Sequence, residues 1–352
     1  MPIYSEADLQ SAVAARVVSR DAADALRAHA LGLRRAPVAD EEHFRLITGF
    51  NDIFVTIAAV LLLTAAAGIG TALTPGLAGV LVALCAWGLA EFFTRRRRMA
   101  LPSIVLLLAF VGGIAAAPIE ILTHLHQDLG DRNDALIGAA IAFGSAAAAW
   151  LHWRRFMVPI TIAALTAALC ATAIALIAAA TMPLIRDGDP SLTILPLVFV
   201  AGLGVFALAM RWDISDRARE TRRSDVAFWL HLLAAPMIAH PLFHWLGVSE
   251  GENISALSAA GVLAIYVLMG VIALAVDRRA LLVSALAYVL VALTWLFRQF
   301  GMVELNVALT GFVIGSALLT LSAFWQPIRR AVVTQLPANL QDRLPVAALA
   351  YA

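Results

Sequence analysis

Four side chains that commonly bind transition metals occur in two pairs with the same spacing. His240 and His244 lie four residues apart in the stretch HPLFHW, and Glu120 and His124 lie four apart in PIEILTHLHQ. Four residues advance a helix by about 400°, so the members of each pair project from one helix face, about 40° apart. Imidazole and carboxylate groups are ligands for zinc and similar divalent ions. If the two segments touch, the spacing predicts a metal site of His240, His244, His124 and Glu120.

A structural role for these histidines is the alternative. An imidazole at a membrane boundary can bond to a loop or to water, and Pro241 frees a backbone carbonyl that a neighbouring group can satisfy. His231 lies deeper in the same apolar segment. An ionisable side chain inside a membrane indicates a functional site by default. The alternative for His231 is a neutral imidazole that is bonded to a neighbouring helix.

The segments that carry these residues are apolar enough to cross a membrane. The chain is 62% hydrophobic and only 14% charged, whereas soluble domains are usually about 25% charged. Its apolar residues occur in blocks of about twenty, the length that spans a hydrocarbon core of about 30 Å. We predict an all-α, polytopic transmembrane bundle of about ten spans, with a small N-terminal helical module. The predicted spans are 51–72, 76–93, 100–121, 134–151, 157–180, 191–210, 225–247, 255–276, 280–298 and 302–324.

The arginines predict the orientation of the bundle. The chain has 25 basic residues, all of them arginine. With ten spans, every one falls on the side of the N terminus except Arg132, Arg186 and Arg298. Short cytoplasmic loops retain arginine. We therefore expect a multi-pass protein of the bacterial inner membrane with both termini in the cytoplasm, which places the predicted metal ligands near the exoplasmic boundary.

The chain divides into three predicted parts. Residues 1–50 form a cytoplasmic helical hairpin in which Ser5 and Ser19 cap the two helices. Residues 51–324 form the transmembrane domain, and residues 325–352 form a loose cytoplasmic tail. Residues 1–50 are too few for a large core, so we expect them to dock on the membrane domain or on a protein partner. Gly311 and Gly315 form a GxxxG pattern, which predicts a close helix–helix contact.

Two stretches carry a resemblance to a known group of proteins. FRLITGFNDIFVTIAA and RRSDVAFWLHLLAAPMIAHPLFHW are similar to segments of bacterial polytopic membrane proteins of unknown function, which also begin with a charged helical hairpin. The resemblance implies the arrangement of a small helical module and many short-looped spans. It implies no activity and no site residues.

The sequence leaves three classes of function open. It contains no Walker sequence, glycine-rich phosphate loop, Ser/His/Asp set or histidine-box array, so an enzyme is the less favoured class. Its predicted spans carry no carboxylate or arginine near their centres, which disfavours ion-coupled transport. A permease or channel for a small solute or ion is the first hypothesis, and a non-catalytic scaffold, assembly factor or sensor is the alternative. A metal-binding membrane protein that uses the exoplasmic His/Glu cluster is the third.

The expected partners follow from the same features. The lipid bilayer is the principal one, a protein can bind through residues 1–50, and self-association is open. We expect no nucleic-acid partner. No cofactor is expected apart from the divalent transition metal discussed above.

Overall fold

The computed structural model describes residues 6–23, 25, 50–125, 130–181, 191–217, 219, 221–247, 255–299 and 306–345. Within these residues all regular secondary structure is helical. The all-α prediction is confirmed. The chain separates into two compact units, Met1–Phe44 and Arg45–Ala352.

The first unit contains α1 (Glu6–Ala14) and the start of a second helical segment. Ser19 caps that segment as predicted, since its Oγ accepts a hydrogen bond from the Ala22 backbone N–H at 3.1 Å. The predicted cap at Ser5 lies outside the described residues.

The second unit is a series of long helices joined by short turns. In chain order they are α2 (Phe50–Leu73), α3 (Leu77–Ala90), α4 (Ala100–Leu125), α5 (Asp131–Phe156), α6 (Ile160–Thr181), α7 (Ser191–Ile214), α8 (Arg222–Trp245), α9 (Ala256–Val276), α10 (Ala280–Gln299), α11 (Asn306–Ala323), α12 (Trp325–Thr334) and α13 (Ala338–Gln341). A π-helical turn, Glu91–Arg96, continues α3.

Among the described residues, eight helices are long and apolar enough to cross a membrane, or nine if α11 and α12 form one bent span. The eight are α2 to α9, with α3 counted together with its π-helical turn. In α10 the apolar stretch is shorter, Leu281–Trp295, and α11 meets α12 at an angle of 74°. These findings support a multi-pass membrane protein, and the count of ten spans stays a prediction.

Short connections reverse the chain between consecutive helices from α2 to α10, so alternate turns share a face. The turns at residues 97–99, 157–159, 215–221 and 277–279 and helix α12 lie on one face, which we call the arginine-rich face. Local sequence explains several helix ends there. Thr221 caps α8 by accepting from the Arg223 N–H, and Met157 and Asp277 end α5 and α9 in the left-handed conformation.

Helix α8 is the most enclosed of the candidate spans, since half of its apolar window is buried. It packs against α6, α7 and α10. Pro236 and Pro241 lie inside this helix, which nonetheless runs from Arg222 to Trp245 as one helical segment. His231, His240 and His244 are therefore carried by the most enclosed candidate span among the described residues.

The predicted close contact at Gly311 and Gly315 is wrong. A Cβ added at either position would meet no atom of the described residues within 4 Å. The tight crossing lies instead between α3 and α4. There a Cβ on Gly79 would come within 2.5 Å of the backbone of Gly113 and Ala117. Regularly spaced small residues permit two helices to approach closely, but which helices pack against each other decides where such a contact forms.

The end of the chain is docked rather than loose where the structure describes it. Trp325, Arg329 and Val333 follow one another at intervals of four on α12, and all three are buried. They form one face of the helix. This face packs on α9 and on the end of α11. The described part of the predicted tail is thus an integral layer of the arginine-rich face.

Candidate functional site

Buried charged side chains gather at the arginine-rich face between α7, α8, the α9–α10 turn and α12. Every one of these side chains is less than a tenth exposed. We call this group the ion cluster. Its members are Asp213, Arg219, His231, Asp277, Arg278, Trp325 and Arg329.

The first half of the ion cluster is the pair of Asp213 and Arg278. Asp213 lies in the last turn of α7, where its Oδ1 accepts from Arg278 Nη2 at 2.5 Å and its Oδ2 from Arg278 Nε at 3.3 Å. The same Nη2 donates to the carbonyl oxygen of Ser224, in the first turn of α8, at 3.1 Å. One guanidinium therefore ties together α7, α8 and the α9–α10 turn through charge-assisted bonds.

Asp277 is the shared acceptor in the second half of the ion cluster. Its backbone adopts the left-handed conformation (φ 59°) that ends α9, a conformation that Asp tolerates better than most residues. Its Oδ2 accepts from Arg219 Nη1 at 2.8 Å, and its Oδ1 accepts from Trp325 Nε1 at 2.7 Å. Asp277 thereby joins the α7–α8 turn to α12. The neighbouring Arg279 stacks its guanidinium over the Trp325 ring, 5.0 Å from the centroid.

Arg329 connects the ion cluster to the last described residues of the chain. Its side chain is buried, its Nη2 donates to the Pro345 carbonyl at 2.8 Å, and its Nε lies 3.6 Å from Asp277 Oδ1. Arg217 makes a parallel contact, from Nε to the Leu344 carbonyl at 2.9 Å. The segment after α13 is thus held to the bundle by two guanidinium groups.

The ion cluster contains more positive than negative charge, with three guanidinium groups against two carboxylates. Burial is the main cause that lowers the pKa of Arg219 from its ordinary value, and the nearby Arg278 adds to it. Asp277 and Asp213 act in the opposite direction. Arg329 Nη1 and Arg219 Nε have no hydrogen-bond partner within the described residues. Both carboxylates are therefore needed to hold the cations in place.

His231, the predicted intramembrane polar residue, belongs to the ion cluster and is fully buried. Its Nδ1 lies 2.8 Å from the Ala227 carbonyl oxygen. Because a carbonyl only accepts, Nδ1 carries the proton. The same atom is 3.7 Å from Asp213 Oδ2, and the ring packs edge-on against Phe206. The Nε2 atom has no hydrogen-bond partner in the described part of the chain.

His240 and His244 lie at the opposite end of α8, with their ring centroids 6.4 Å apart. His240 Nδ1 is hydrogen-bonded to Tyr288 Oη on α10 at 2.6 Å. The structure places Glu120 and His124 on α4, with Glu120 half-buried and His124 exposed. Among the described residues no three His, Cys, Asp or Glu side chains come together as metal ligands would. The four-residue metal site therefore stays a prediction.

The other part of the bundle also contains a buried imidazole. His152 of α5 packs among the rings of Trp87, Phe110 and Phe156, and its Nδ1 lies 3.4 Å from Thr161 Oγ1. His152 Nε2 is unpartnered within the described residues. Neither this residue nor its aromatic surroundings was singled out from the sequence, since a lone histidine near an arginine pair carries no distinctive spacing.

An ion pair of α3 and α5 lies near this imidazole. Glu91 pairs with Arg95, four residues further along, at 3.3 Å, but its closer partner is Arg155, at 2.6 Å and 3.0 Å. These side chains are partly exposed, so the pair contributes less than the ion cluster.

Sequence reasoning also missed the ion cluster itself. In the sequence, positive-inside anchoring alone accounts for Arg219, Arg278 and Arg329, so nothing marks them as buried. A weak signal was present. Asp213 and Asp277 each stand at the end of an apolar segment, in RWD and VDRR. An acid at that position offers a buried partner for an arginine of a neighbouring turn.

The helices define the class of protein: an all-helical protein with the properties of a multi-pass membrane protein. Searches of protein-family models, curated proteins and solved structures find no match to this chain.

Proposed function

We propose that this protein is a non-catalytic membrane scaffold whose arginine-rich face is a rigid platform. The observation that carries the proposal is the ion cluster. The cluster joins α7, α8 and α12 to the α9–α10 turn by charge-assisted hydrogen bonds. The side chains that make these bonds are nearly all excluded from solvent. Such a network resists relative movement of the helices it joins, because separating any two of them leaves a buried charge without its partner.

The helix packing supports the same function. The core between α8, α9 and α10 is built from Phe243, Val262, Met269, Val289 and similar apolar residues. A cleft of about 370 Å³ between α3, α4 and α5 is lined by apolar residues, among them Trp87, Phe110 and Leu151. A path for a polar solute needs polar groups along its walls. This cleft instead suits a lipid chain or an apolar helix.

Water access to the helix core tests the proposal. In a Cys85→Ala/Cys170→Ala background, single cysteines replace Ala146 or Ala234, which are at most 2% exposed in α5 and α8. We expect a membrane-impermeant maleimide to leave both unlabelled in unsealed membranes. Thr334→Cys, on the exposed side of α12, is the matched accessible control. Labelling of either core cysteine at the rate of the control would contradict the scaffold and favour a water-filled path.

A permease or channel for a small solute or ion is the second candidate, and one observation favours it. His231 places a fully buried imidazole 3.7 Å from the Asp213 carboxylate inside the bundle, and intramembrane groups of this kind often mark ion or proton pathways. Proteoliposomes that contain the purified chain and a pH-sensitive dye separate the two functions. The scaffold predicts no proton or salt flux above protein-free vesicles, whereas flux that is lost in His231→Phe would establish the permease.

We further propose that the arginine-rich face lies in the cytoplasm of a bacterial inner membrane, so that both termini are cytoplasmic. The distribution of arginine supports this orientation. Alkaline phosphatase fused after Asp189 is then active, and the same enzyme fused after Arg219 is inactive. The opposite pattern of activities would invert the orientation and put the platform on the outer side.

A further inference from the structure

A second basic site lies beside the ion cluster, at the end of α7 and the start of α8. Leu208, Arg211, Trp212, Ser215 and Arg223 line a pocket of about 380 Å³ at the arginine-rich face. Arg211 belongs to the last turn of α7 and Arg223 to the first turn of α8. The pocket is therefore formed where these two helices reach the end of their apolar segments.

The two arginines of this pocket differ from those of the ion cluster. Both are exposed, and neither side chain has an ion-pair or hydrogen-bond partner within the described residues. The Ser215 hydroxyl donates to the Trp212 carbonyl at 2.7 Å, so the charged side-chain donors for a ligand are the two guanidinium groups. Two guanidinium groups offer paired N–H donors that match the oxygens of a phosphate.

The rest of the pocket is apolar. Leu208 lies one turn further into the bundle than Trp212, and both are partly buried against the core between α6, α7 and α8. Trp is characteristic of the membrane interface, where its ring meets the headgroup level. The lining thus changes from cationic at the end of the helices to apolar along them, over one helical turn. A lipid changes in the same direction, from headgroup to acyl chain.

We propose that this pocket binds an anionic phospholipid, with Arg211 and Arg223 on the headgroup phosphate and Leu208 and Trp212 against the start of an acyl chain. Basic pockets between membrane helices recognise headgroups in this way. The surplus positive charge of the adjacent ion cluster adds to the attraction. This site is separate from the proposed scaffold function, since it uses none of the cluster side chains.

The test is a lipid titration of the purified full-length chain in detergent, read by native mass spectrometry with phosphatidylglycerol and with phosphatidylcholine. We expect Arg211→Ala/Arg223→Ala to weaken phosphatidylglycerol binding at least tenfold and to leave phosphatidylcholine binding unchanged. Arg154→Ala/Arg330→Ala is the matched control, because it removes the same charge from two exposed arginines outside the pocket. The control should stay within about twofold of the parent, since solvent-exposed charges act weakly.

Three outcomes would overturn the proposal. Equal losses in the two double variants would mean that only net charge attracts the lipid, and unchanged binding in Arg211→Ala/Arg223→Ala would exclude the pocket. Displacement of phosphatidylglycerol by millimolar inorganic phosphate would assign the site to free phosphate. Arg211→Lys/Arg223→Lys retains charge but loses the paired donors, so we expect it to bind several-fold more weakly than the parent. The melting temperatures of all variants should match the parent, because the replaced side chains are exposed.

Discussion

The Asp213→Asn variant is the most direct test of the ion cluster. The substitution preserves side-chain volume but removes the charge that accepts from Arg278 at 2.5 Å and 3.3 Å. The Arg278 side chain is 3% exposed, and it then meets only neutral acceptors among the described residues, the introduced amide oxygen and the Ser224 carbonyl. Removing one partner of a buried ion pair costs about 3–5 kcal/mol. That loss corresponds to a hundredfold to several-thousandfold change in the unfolding equilibrium, at about 1.4 kcal/mol per factor of ten.

The assay is equilibrium unfolding in mixed micelles of dodecyl maltoside and SDS, followed by the helical circular dichroism signal. Asp134→Asn is the control, because Asp134 is an exposed acid in the first turn of α5, where a charge contributes about 0.3–1 kcal/mol. We expect Asp213→Asn/Arg278→Met to recover part of the loss, since it removes the stranded charge. If Asp213→Asn unfolds at the same SDS fraction as the control, the cluster does not clamp the helices.

The remaining predictions address packing, α12 and metal. Gly79→Ala places a Cβ 2.5 Å from the α4 backbone and should lower the free energy of unfolding by about 1–3 kcal/mol in the same assay. In Gly311→Ala the added Cβ meets no atom of the described residues within 4 Å, so helix propensity should raise the free energy of unfolding by up to about 1 kcal/mol. Trp325→Phe removes an indole donor from the ion cluster and should increase proteolysis of the chain end, whereas an unchanged cleavage pattern would exclude its anchoring role. If the metal site predicted from the sequence exists, the purified parent contains stoichiometric metal and His240→Ala/His244→Ala loses it. Elemental analysis that finds no metal in the parent would refute the site.

Apolar block length was sufficient to predict where most helices lie. In α2, α4, α6 and α9, runs of about twenty apolar residues between short polar turns can satisfy their backbone groups inside a membrane only as helices. A helix cap that depends only on neighbouring residues, such as Ser19, could also be predicted from the sequence. The Thr221 cap that begins α8 and the left-handed Asp277 that ends α9 likewise depend on local sequence.

Which arginines remain in solvent could not be predicted from the sequence. Arg211 and Arg278 both follow an apolar segment and look alike in the sequence, yet Arg278 is buried against Asp213 while Arg211 is exposed in a pocket. The difference arises because the α9–α10 turn is inserted between the ends of α7 and α8, a placement that depends on packing among segments far apart in the chain. The same reason explains why the GxxxG pattern of α11 was misleading.

The sequence by itself determined the helical class, most of the apolar segments, and the four-residue spacing that puts His240 and His244 on one side of α8. These properties depend on the geometry of one helix and on solvation of its own side chains. Only the tertiary structure decided that His240 meets Tyr288. It also decided that three arginines, two from turns and one from α12, enter a buried ion cluster with Asp213 and Asp277. Arg278, Arg219 and Trp325 stand 48 to 65 positions from the carboxylates that they contact, and no periodicity records which helices will be neighbours.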